Sequence, residues 1–415
     1  MVSRTLVIGG GPIGAFSTYY LKKAGREVDW ITGGPPSKSA AWASAGLVGI
    51  GLSTPLPEYE GLSSSIKWLL KKDSPVKLGL GFMLKDLGWF YSYSKQRDTI
   101  MSDRGIRTQT NLSLRSLAIF LKLIDSGELS INLIQNGILQ IFTTKKVLDQ
   151  HVKQLNSLVG GIVKFDVVDS KTCLEMEPLL NRKDVIGIFF PEEGAVDPHK
   201  FLESVRELNR SLGAEILDKK VSKFQTDGPR ITGCITEDGE RLTSDSYLVA
   251  SGAYSTVVAR SLRLKVPVVP AWGHSEIRVL REKALKRPVE IAERGIFIST
   301  FSGYLKLTSF FEFKGLSYVA PDDRFSYMER MASEFFPFIS ELKVDKKFSG
   351  ARPCVPDSIP LVGKSSTYSN LFWATGNCRQ GLMQSAETGR IASLAITGEH
   401  IPEEYNILSP ARFAI

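Results

Sequence analysis

The alternation of apolar and polar residues is clearest near the N-terminus. Thr5–Ile8 is a short β-branched run preceded by polar residues, and Glu27–Ile31 is a second such run, so both predict strands. Between them, Ala15–Ala24 is compatible with a helix that stops at Gly25. A strand, a helix and a second strand in this order predict the beginning of an α/β domain.

The segment between the first strand and the helix, Gly9–Gly14, fits the pattern Gly-x-Gly-x-x-Gly. In this setting the pattern predicts a phosphate-binding loop. Gly9 permits the tight turn, Gly11 lets the backbone approach a pyrophosphate, and Gly14 lets helix and strand pack closely. Thr32 stands near the end of the second strand, where an acidic residue usually holds the adenosine ribose, so that end of a dinucleotide would be held more weakly.

Similar patterns predict further elements along the chain. Short apolar runs predict strands, and a 3.6-residue period predicts helices with glycine or proline near their ends. The predicted strands are Gly137–Phe142, Gly187–Phe190, Ala214–Leu217, Val221–Phe224, Ser246–Ala250 and Leu371–Ala374. The predicted helices are Leu112–Ile124 before Gly127, Thr144–Val159, one that begins at Asp197 and Pro198, and one that ends near Ile396; Asp238 and Gly239 predict a hairpin turn.

Length and composition are those of an ordinary globular protein. The 415 residues suggest two or three domains, and 43% hydrophobic with 23% charged residues excludes a disordered or collagen-like chain. No apolar run reaches the ~18 residues of a membrane-spanning helix. The N-terminus becomes glycine-rich too early for a secretory signal, so we expect a cytoplasmic protein.

Charge and cysteine usage narrow the possible partners. Lys and Arg outnumber Asp and Glu by 52 to 44, a net charge of +8, which favours anionic partners. The excess is spread along the chain without a basic run, so we do not expect nucleic acid as a partner. The cysteines are far apart and histidines are few, so we expect neither a metal nor a disulfide framework; the cysteines are Cys173, Cys234, Cys354 and Cys378.

Two segments in the first hundred residues allow two interpretations each. Residues 39–46, Ser-Ala-Ala-Trp-Ala-Ser-Ala-Gly, either let a flat ligand lie against the backbone or let helices pack closely. Residues 61–97 mix aromatic and aliphatic side chains with lysines. They fit an amphipathic stretch on an anionic membrane surface or, the interpretation we favour, a helical layer over a core.

The last seventy residues contain two arginines in unusual surroundings. Arg352 lies in Gly350–Pro353, and Arg379 lies in Gly376–Gly381, which follows a predicted strand. Each guanidinium can bind a carboxylate through two hydrogen bonds. A single arginine is more often part of a surface ion pair, but the flanking glycines and prolines favour a rigid placement of both.

Together these motifs resemble those of the flavin-dependent D-amino-acid oxidase superfamily. The resemblance runs nearly the whole chain in order, from the glycine loop through Ser44–Gly46 and the Ala-Ser-Gly-Ala-Tyr-Ser block at 250–255 to the C-terminal tail. Ser65–Gly79, Gly137–Leu148 and Val266–Ser275 look like bacterial D-amino-acid dehydrogenases. Gly376–Gly389 looks like glycine oxidases and the catalytic subunit of dye-linked proline dehydrogenases.

The resemblance implies an α/β fold, in which a Rossmann-like FAD-binding domain is interleaved with an α+β substrate domain containing a mixed antiparallel sheet. The FAD-binding domain would comprise residues 1–80, 149–262 and 347–415. The substrate-binding domain would comprise residues 81–148 and 263–346.

The same resemblance implies the residues of the site. FAD would be bound without a covalent bond, because Gly350 stands where sarcosine oxidases have their flavin-bonding cysteine. The catalytic residues would be Arg352, Arg379 and His274, the last standing where bacterial dehydrogenases have a tyrosine. The cofactor-binding residues would be Gly9, Gly11, Ile13, Gly14, Thr32, Ser44, Gly46, Leu47, Val221, Ser251, Gly252, Gly376, Asn377, Gly381 and Leu382.

The implied reaction is the oxidative deamination of a small D-amino or imino acid. A hydride would pass from Cα to the flavin and the electrons on to a quinone or artificial dye. The alternatives are an oxidase of glycine, sarcosine or D-amino acids that uses oxygen, a proline dehydrogenase, and a relay subunit without its own substrate. The last is disfavoured because a relay needs no carboxylate-binding Arg352. Peripheral association with the inner face of the cell membrane and formation of an oligomer are left open.

Overall fold

A computed structural model describes residues 2–51, 76–79, 82, 86–95 and 103–415. In chain order the strands are β1 Arg4–Ile8, β2 Glu27–Ile31, β3 Leu47–Val48, β4 Val76–Leu78, β5 Leu133–Ile134, β6 Ile138–Phe142, β7 Asp166–Val168, β8 Ile186–Phe190, β9 Gly194–Val196, β10 Glu215–Leu217, β11 Val221–Asp227, β12 Arg230–Thr236, β13 Arg241–Leu242, β14 Ser246–Val249, β15 Val269–Val279, β16 Val289–Ile291, β17 Ile296–Phe301, β18 Tyr304–Phe313, β19 Val344–Cys354, β20 Leu361–Lys364 and β21 Leu371–Thr375.

The α-helices are α1 Pro12–Lys23, α2 Leu87–Lys95, α3 Asp103–Asp125, α4 Lys145–Val159, α5 Ser170–Met176, α6 Pro198–Ser211, α7 Ser255–Arg260, α8 Asp322–Ser333 and α9 Ser385–Thr397. Each strand and helix predicted from the sequence overlaps one of these elements, which confirms those predictions. At α6, the Asp197 carboxylate caps the helix by accepting from the backbone N–H groups of His199 and Lys200, with Pro198 at the first helical position.

A six-stranded sheet forms the first layer. Its strand order is β10-β2-β1-β14-β21-β20, and all neighbours are parallel except β20, which runs antiparallel to β21. The carboxyl ends of β1, β14 and β21 therefore meet at one edge of the sheet. In doubly wound α/β domains this edge is where ligands bind.

Aromatic rings from three helices fill the core on one side of this sheet. Phe16 of α1 lies between Phe120 of α3 and Phe201 of α6, with ring centroids 5.6 and 6.0 Å away. All three side chains are at most 2% exposed. Because burial of this much aromatic surface stabilises by several kcal/mol, the core fixes the helix that carries the glycine loop.

A second, mixed sheet has nine strands among the described residues. Its path is β19-β15-β18-β17-β16-β6-β8-β7, and β4 pairs with β18. One face packs beneath α8, where Phe325 and Met328 are buried against Leu305 and Leu307. The opposite face approaches residues 40–45, since Ser299 Oγ donates to the carbonyl oxygen of Ala45 over 3.0 Å.

The two large sheets agree with the predicted α/β class of fold. Two smaller three-stranded sheets, β11-β12-β13 and β3-β9-β5, complete the described part of the chain. The predicted domain ranges stay a prediction. The strands β7 and β8 fall in the range 149–262, and most of β19 falls in the range 347–415. Both ranges were assigned to the FAD-binding domain, yet all three strands pair in the nine-stranded sheet.

Candidate active site

The loop after β1 has the shape that its glycine spacing predicts. Gly9 has φ of 140°, and a Cβ there would lie 2.2 Å from the carbonyl oxygen of Ala250. A Cβ on Gly14 would lie 2.1 Å from the carbonyl oxygen of Gly9. Gly11 instead caps α1 and faces open space, with Ser39 Oγ 3.5 Å from an added Cβ. Gly9 and Gly14 thus fasten the loop to its surroundings, and Gly11 leaves room for a ligand.

At the end of β2, Thr32 is paired with a carboxylate that the sequence did not reveal. Thr32 Oγ1 donates to Asp218 Oδ1 over 2.5 Å, and Arg206 donates to the same oxygen over 2.8 Å. These two hydrogen bonds lower the pKa of Asp218. Asp218 directly follows β10, the parallel neighbour of β2, so an acidic group does stand at this edge but comes from the adjacent strand.

The small-residue segment 39–46 joins the two sheets. Gly46 has φ of 74° and would clash with the carbonyl oxygen of Val196 if it carried a Cβ, 2.1 Å away. The Gly46 N–H donates to Ser44 Oγ over 3.3 Å, and Leu47 pairs with Ala195. On the other side, an added Cβ on Gly350 would lie 2.8 Å from Cα of Ala40. Glycine at these positions allows the backbones to approach closely.

Most of the remaining predicted cofactor residues follow β14 or β21 at the carboxyl edge of the six-stranded sheet. Gly252 and Gly381 face open space, with no atom closer to an added Cβ than Pro353 Cγ at 3.9 Å. Ser251 Oγ and Asn377 Oδ1 are buried without a hydrogen-bond partner among the described residues. The others are Ile13 and Leu382, which are buried, Gly376 directly after β21, and Val221, which begins β11.

Arg352 is a buried cation on β19. Its Nη1 donates to the carbonyl oxygen of Phe310 over 2.8 Å, and its guanidinium lies 5.5 Å from the ring centroid of Phe311. An added Cβ on Gly273 would lie 2.1 Å from its Nη2, so that glycine makes room for it. Burial, with the nearby charge of Arg379, lowers the pKa of Arg352 to about 10. No carboxylate among the described residues forms an ion pair with it, so the group is suited to an incoming anion.

A disulfide joins the two segments that carry the arginines. Cys354, two residues after Arg352, is bonded to Cys378, the residue before Arg379. Cys354 also forms an isolated β-bridge with Asn377. The expectation of no disulfide was wrong for this pair, because β19 ends beside the loop after β21 although the cysteines are 24 residues apart. The bond fixes the two arginine segments to each other.

His274 lies on the other face of the nine-stranded sheet from Arg352. On β15, Ala271 pairs with Arg352 and His274 pairs with Ser349, and successive residues of a strand point to opposite faces. Its Nδ1 lies 2.9 Å from Ser349 Oγ and its Nε2 lies 2.9 Å from Glu312 Oε2. The catalytic role of His274 stays a prediction, and this position supports an indirect role through its strand.

Two buried carboxylates, Glu290 near Arg379 and Glu193 near Glu290, were not identified from the sequence. Gln140 Nε2 donates to Glu290 Oε2 over 2.5 Å, and the backbone N–H of Ile50 donates to Glu193 Oε1 over 2.8 Å. Burial raises the pKa of each carboxyl to about 7; the charge of Glu290 raises that of Glu193 further, and the charge of Arg379 lowers that of Glu290. Among the described residues, no group of three or more His, Cys, Asp or Glu could hold a metal ion.

A buried lysine also faces the small-residue segment. Lys306 on β18 donates to the carbonyl oxygen of Trp42 over 2.5 Å and lies 3.2 Å from His199 Nε2. The imidazole of His199 stacks on the indole of Trp42 with centroids 3.9 Å apart. Burial lowers the pKa of Lys306 to about 7. A charged residue in the middle of an apolar strand was the signal in the sequence that could have identified it.

A family model described as FAD dependent oxidoreductase matches residues 4–394, almost the whole chain. The chain belongs to this family of FAD-dependent oxidoreductases. The glycine loop, the sheet edge and the buried arginine all fall within the matched range.

Relatives of this oxidoreductase match it from end to end. A protein named D-amino acid dehydrogenase from Methylobacterium nodulans is 28% identical over 99% of each chain. A second protein of that name, from Vibrio cholerae, is 27% identical over 96% of each chain.

Solved structures of the same fold include enzymes with other names. Glycine oxidase from Bacillus cereus superposes with a TM-score of 0.75 at 19% identity, over 98% of this chain and 97% of its own. L-proline dehydrogenase from P. horikoshii superposes with a TM-score of 0.72 at 17% identity, over 99% and 98%. At these identities the likeness concerns the fold.

The residues at the sheet edge fit the FAD that this family uses. Space in front of Gly11 and Gly252 would be filled by a side chain at either position, and both lie at the carboxyl edge of the six-stranded sheet. The unpartnered polar atoms of Ser251 and Asn377 at the same edge are suited to hydrogen bonds with a polar ligand.

The basic aromatic stretch at 61–97 is described only in part, at residues 76–79, 82 and 86–95. There, Trp89 of α2 is 8% exposed, lies 5.7 Å from the ring of Phe313 and donates to the carbonyl oxygen of Pro267. These contacts fit a helix that covers a core, and contact with a membrane stays a prediction. Among the described residues, no helix combines the length and the apolar character needed to cross a membrane.

Proposed function

We propose that this oxidoreductase is a D-amino-acid dehydrogenase. A hydride passes from Cα of a D-amino or imino acid to the flavin, which leaves a C=N double bond between Cα and the amine nitrogen, and the electrons pass on to a quinone or artificial dye. The observation that carries this proposal is the buried Arg352, which no described carboxylate pairs, tied by a disulfide to the segment of Arg379. The names of the full-length relatives from Methylobacterium nodulans and Vibrio cholerae support the substrate class.

Arg352 binds the substrate carboxylate in this proposal. A buried guanidinium without a counterion gains two charge-assisted hydrogen bonds when a carboxylate enters, and the pair is shielded from water. Arg379 is close enough for its charge to lower the pKa of Arg352, so an anion near both would be stabilised by both. Fixing the carboxylate holds the Cα–H bond in one orientation, and a displacement of about 1 Å can cost ~100-fold in rate.

When FAD is bound, its flavin accepts the hydride and with it two electrons. The loop at Gly11 and the N-terminus of α1 would hold its pyrophosphate, and Asp218, which accepts from Thr32, would accept hydrogen bonds from its adenosine ribose. The turn Gly376–Leu382 would stabilise negative charge on the reduced flavin through its dipole or backbone N–H groups. Because Gly350 has no side chain, we propose that the FAD is held without a covalent bond.

No general base is required if the substrate amine arrives neutral. The group near Arg379 that could take up an ammonium proton is Glu290, whose pKa is raised by burial to about 7. A carboxylate with such a pKa can accept a proton near neutral pH.

The proposal is tested by comparing electron acceptors and substrate enantiomers. Purified holoenzyme is assayed with D-alanine, D-proline, L-proline, glycine and sarcosine, with a dye as acceptor under argon and with oxygen alone. We expect dye reduction with D-amino acids and little peroxide. Peroxide formed at the rate of dye reduction would identify an oxidase instead. Selective turnover of L-proline would identify a proline dehydrogenase, and turnover of none of the five would reject the proposal.

A further inference from the structure

A β-bulge interrupts the pairing of β15 with β18 beside Arg352. One residue of β15, Gly273, stands opposite two residues of β18, Phe310 and Phe311, because the register of the ladder shifts there. Phe310 has φ of 71°, in the left-handed region that a bulky residue rarely adopts. Such a conformation persists only where the surrounding structure holds it, so groups that fix the bulge are expected nearby.

The three residues of the bulge surround the Arg352 guanidinium. The carbonyl oxygen of Phe310 accepts from its Nη1 over 2.8 Å, and the ring centroid of Phe311 lies 5.5 Å from its central carbon. A Cβ on Gly273 would lie 2.1 Å from its Nη2. In the described part of the chain, the Phe310 carbonyl is the only group that accepts a hydrogen bond from this guanidinium. The direction of that carbonyl therefore determines how the guanidinium faces an incoming carboxylate.

On the opposite face of the sheet, a side-chain hydrogen bond crosses the bulge. His274 Nε2 lies 2.9 Å from Glu312 Oε2, and the two residues stand on opposite sides of the shift in register. Both side chains are 0% exposed. The Nδ1 of His274 lies 2.9 Å from Ser349 Oγ on β19. His274 thus links the two strands of the bulge to the strand that carries Arg352.

Further groups hold Glu312 in this position. Tyr318 donates its hydroxyl to the same Oε2 over 2.7 Å, and Arg324 of α8 donates to Oε1 over 3.0 Å. Burial raises the pKa of Glu312, but hydrogen bonds from His274 and Tyr318 and the charge of Arg324 outweigh it and lower the pKa to about 2. Glu312 is therefore an ionised acceptor, and His274 Nε2 is the donor. The ring of Phe310 packs against the same groups, 5.6 Å from the His274 ring and 5.5 Å from the Arg324 guanidinium.

We propose that the pair His274 and Glu312 is a clamp that holds the bulge in the conformation in which the Phe310 carbonyl points to Arg352. The two residues are positioning residues, because they lie on the face of the sheet opposite Arg352 and act on it through the backbone of the bulge. Without the clamp, Phe310 can leave the left-handed region and its carbonyl turns away from the guanidinium. This inference rests on the proposed function, in which Arg352 binds the substrate carboxylate, and deepens it.

The test isolates the contact between Arg352 and the carboxylate. The holoenzyme is assayed by dye reduction with the D-amino acid that wild type oxidises fastest and with its carboxamide, which has the same Cα, amine and side chain but no carboxylate. The ratio of the two kcat/KM values measures the carboxylate contact. We expect a ratio of ~100 or more for wild type and a ratio near ~1 for Arg352→Met.

Two variants of His274 assign the orientation of Arg352 to the clamp. His274→Ala should retain flavin but lower the ratio at least ~10-fold, because a displacement of ~1 Å can cost ~100-fold in rate. His274→Gln, whose amide can still donate to Glu312, should restore most of the ratio. If His274→Ala does not fold, Tyr318→Phe removes a single hydrogen bond from Glu312 and should lower the ratio at least ~3-fold.

Glu276→Gln is the matched control. Glu276 is a buried glutamate two residues from His274 on β15, so it lies on the same face of the sheet. It accepts a hydrogen bond from Arg278 and pairs with Leu307 in the regular part of the ladder. Its loss should leave the bulge intact, so the ratio for this variant should equal that of wild type.

The outcomes separate the clamp from the proposed function. Equal losses of kcat/KM with both substrates, which leave the ratio of His274→Ala at the wild-type value, would show a merely structural role and overturn the clamp. An unchanged ratio in Tyr318→Phe would do so if His274→Ala does not fold, as would a ratio lowered equally by Glu276→Gln. A wild-type ratio near ~1 would reject the role of Arg352 in the proposed function, whatever the variants show.

Discussion

Replacing Arg352 by methionine should separate substrate binding from folding. Its pKa is lowered from 12.5 to about 10, so burial of the cation costs the folded protein about 3 kcal/mol at any pH below that value. Methionine removes this cost and also the hydrogen bond to Phe310, a loss of about 1–3 kcal/mol for the unpaired carbonyl. The two effects nearly cancel, so the melting temperature should stay within a few degrees of that of wild type.

The catalytic activity of Arg352→Met, in contrast to its stability, should fall sharply. Loss of a buried, doubly hydrogen-bonded carboxylate contact costs about 3–4 kcal/mol, a factor of ~10²–10³ in kcat/KM. The assay is dye reduction with the best D-amino acid, combined with the absorbance ratio at 450 and 280 nm and a thermal melt. Arg294→Ala, on the 3₁₀ turn Ala292–Arg294, is the control for loss of a less buried arginine. Unchanged kcat/KM in Arg352→Met would refute the reasoning, as would loss of flavin together with a melting temperature lowered by more than 10 °C.

Three further outcomes follow from the described residues. Gly11→Val should fold but retain less than a tenth of the flavin of wild type, because its side chain enters the open space where the pyrophosphate would lie. The control Gly315→Val also places its side chain in open space and should retain flavin fully, so equal flavin in both variants would contradict the phosphate-loop assignment. Cys354→Ser should raise KM several-fold with flavin retained, because the segments of the two arginines are no longer linked, and an unaltered KM would rule out this role. Burial lowers the pKa of His151 from 6.5 to about 4, so its contribution to stability is complete above pH 6.5 and is lost as the pH falls through 4. Between pH 7 and pH 4 the free energy of unfolding in urea should fall by up to ~3 kcal/mol more for wild type than for His151→Leu, and equal losses would contradict this.

Local patterns predicted the part of the fold that local spacing determines. The glycine loop, its helix and β2 lie within one short stretch, and the turn needs glycine at Gly9 because of its φ and the nearness of Ala250. The cap at Asp197 is equally local. By contrast β18 was not predicted, because Lys306 and Glu312 interrupt its apolar pattern although both are buried.

Contacts between distant segments could not be predicted from spacing. Asp218 reaches Thr32 only because β10 lies beside β2, and Cys354 meets Cys378 only because β19 ends at the loop after β21. Glu290 looks like an exposed residue in its short strand, yet the pairing of β16 with β6 buries it beside Gln140. These residues gain their roles from sheet register, which a single sequence does not specify.

The central claim is that a bound flavin lies within reach of a buried arginine that holds an amino acid. The most direct test is the visible spectrum of the purified protein in an anaerobic cuvette, recorded before and after addition of a D-amino acid and then of its L-enantiomer in a second cuvette. The account predicts a yellow protein whose absorbance near 450 nm is lost with the D-enantiomer and kept with the L-enantiomer. A protein that neither contains nor takes up flavin, or a flavin that no amino acid reduces, would contradict it.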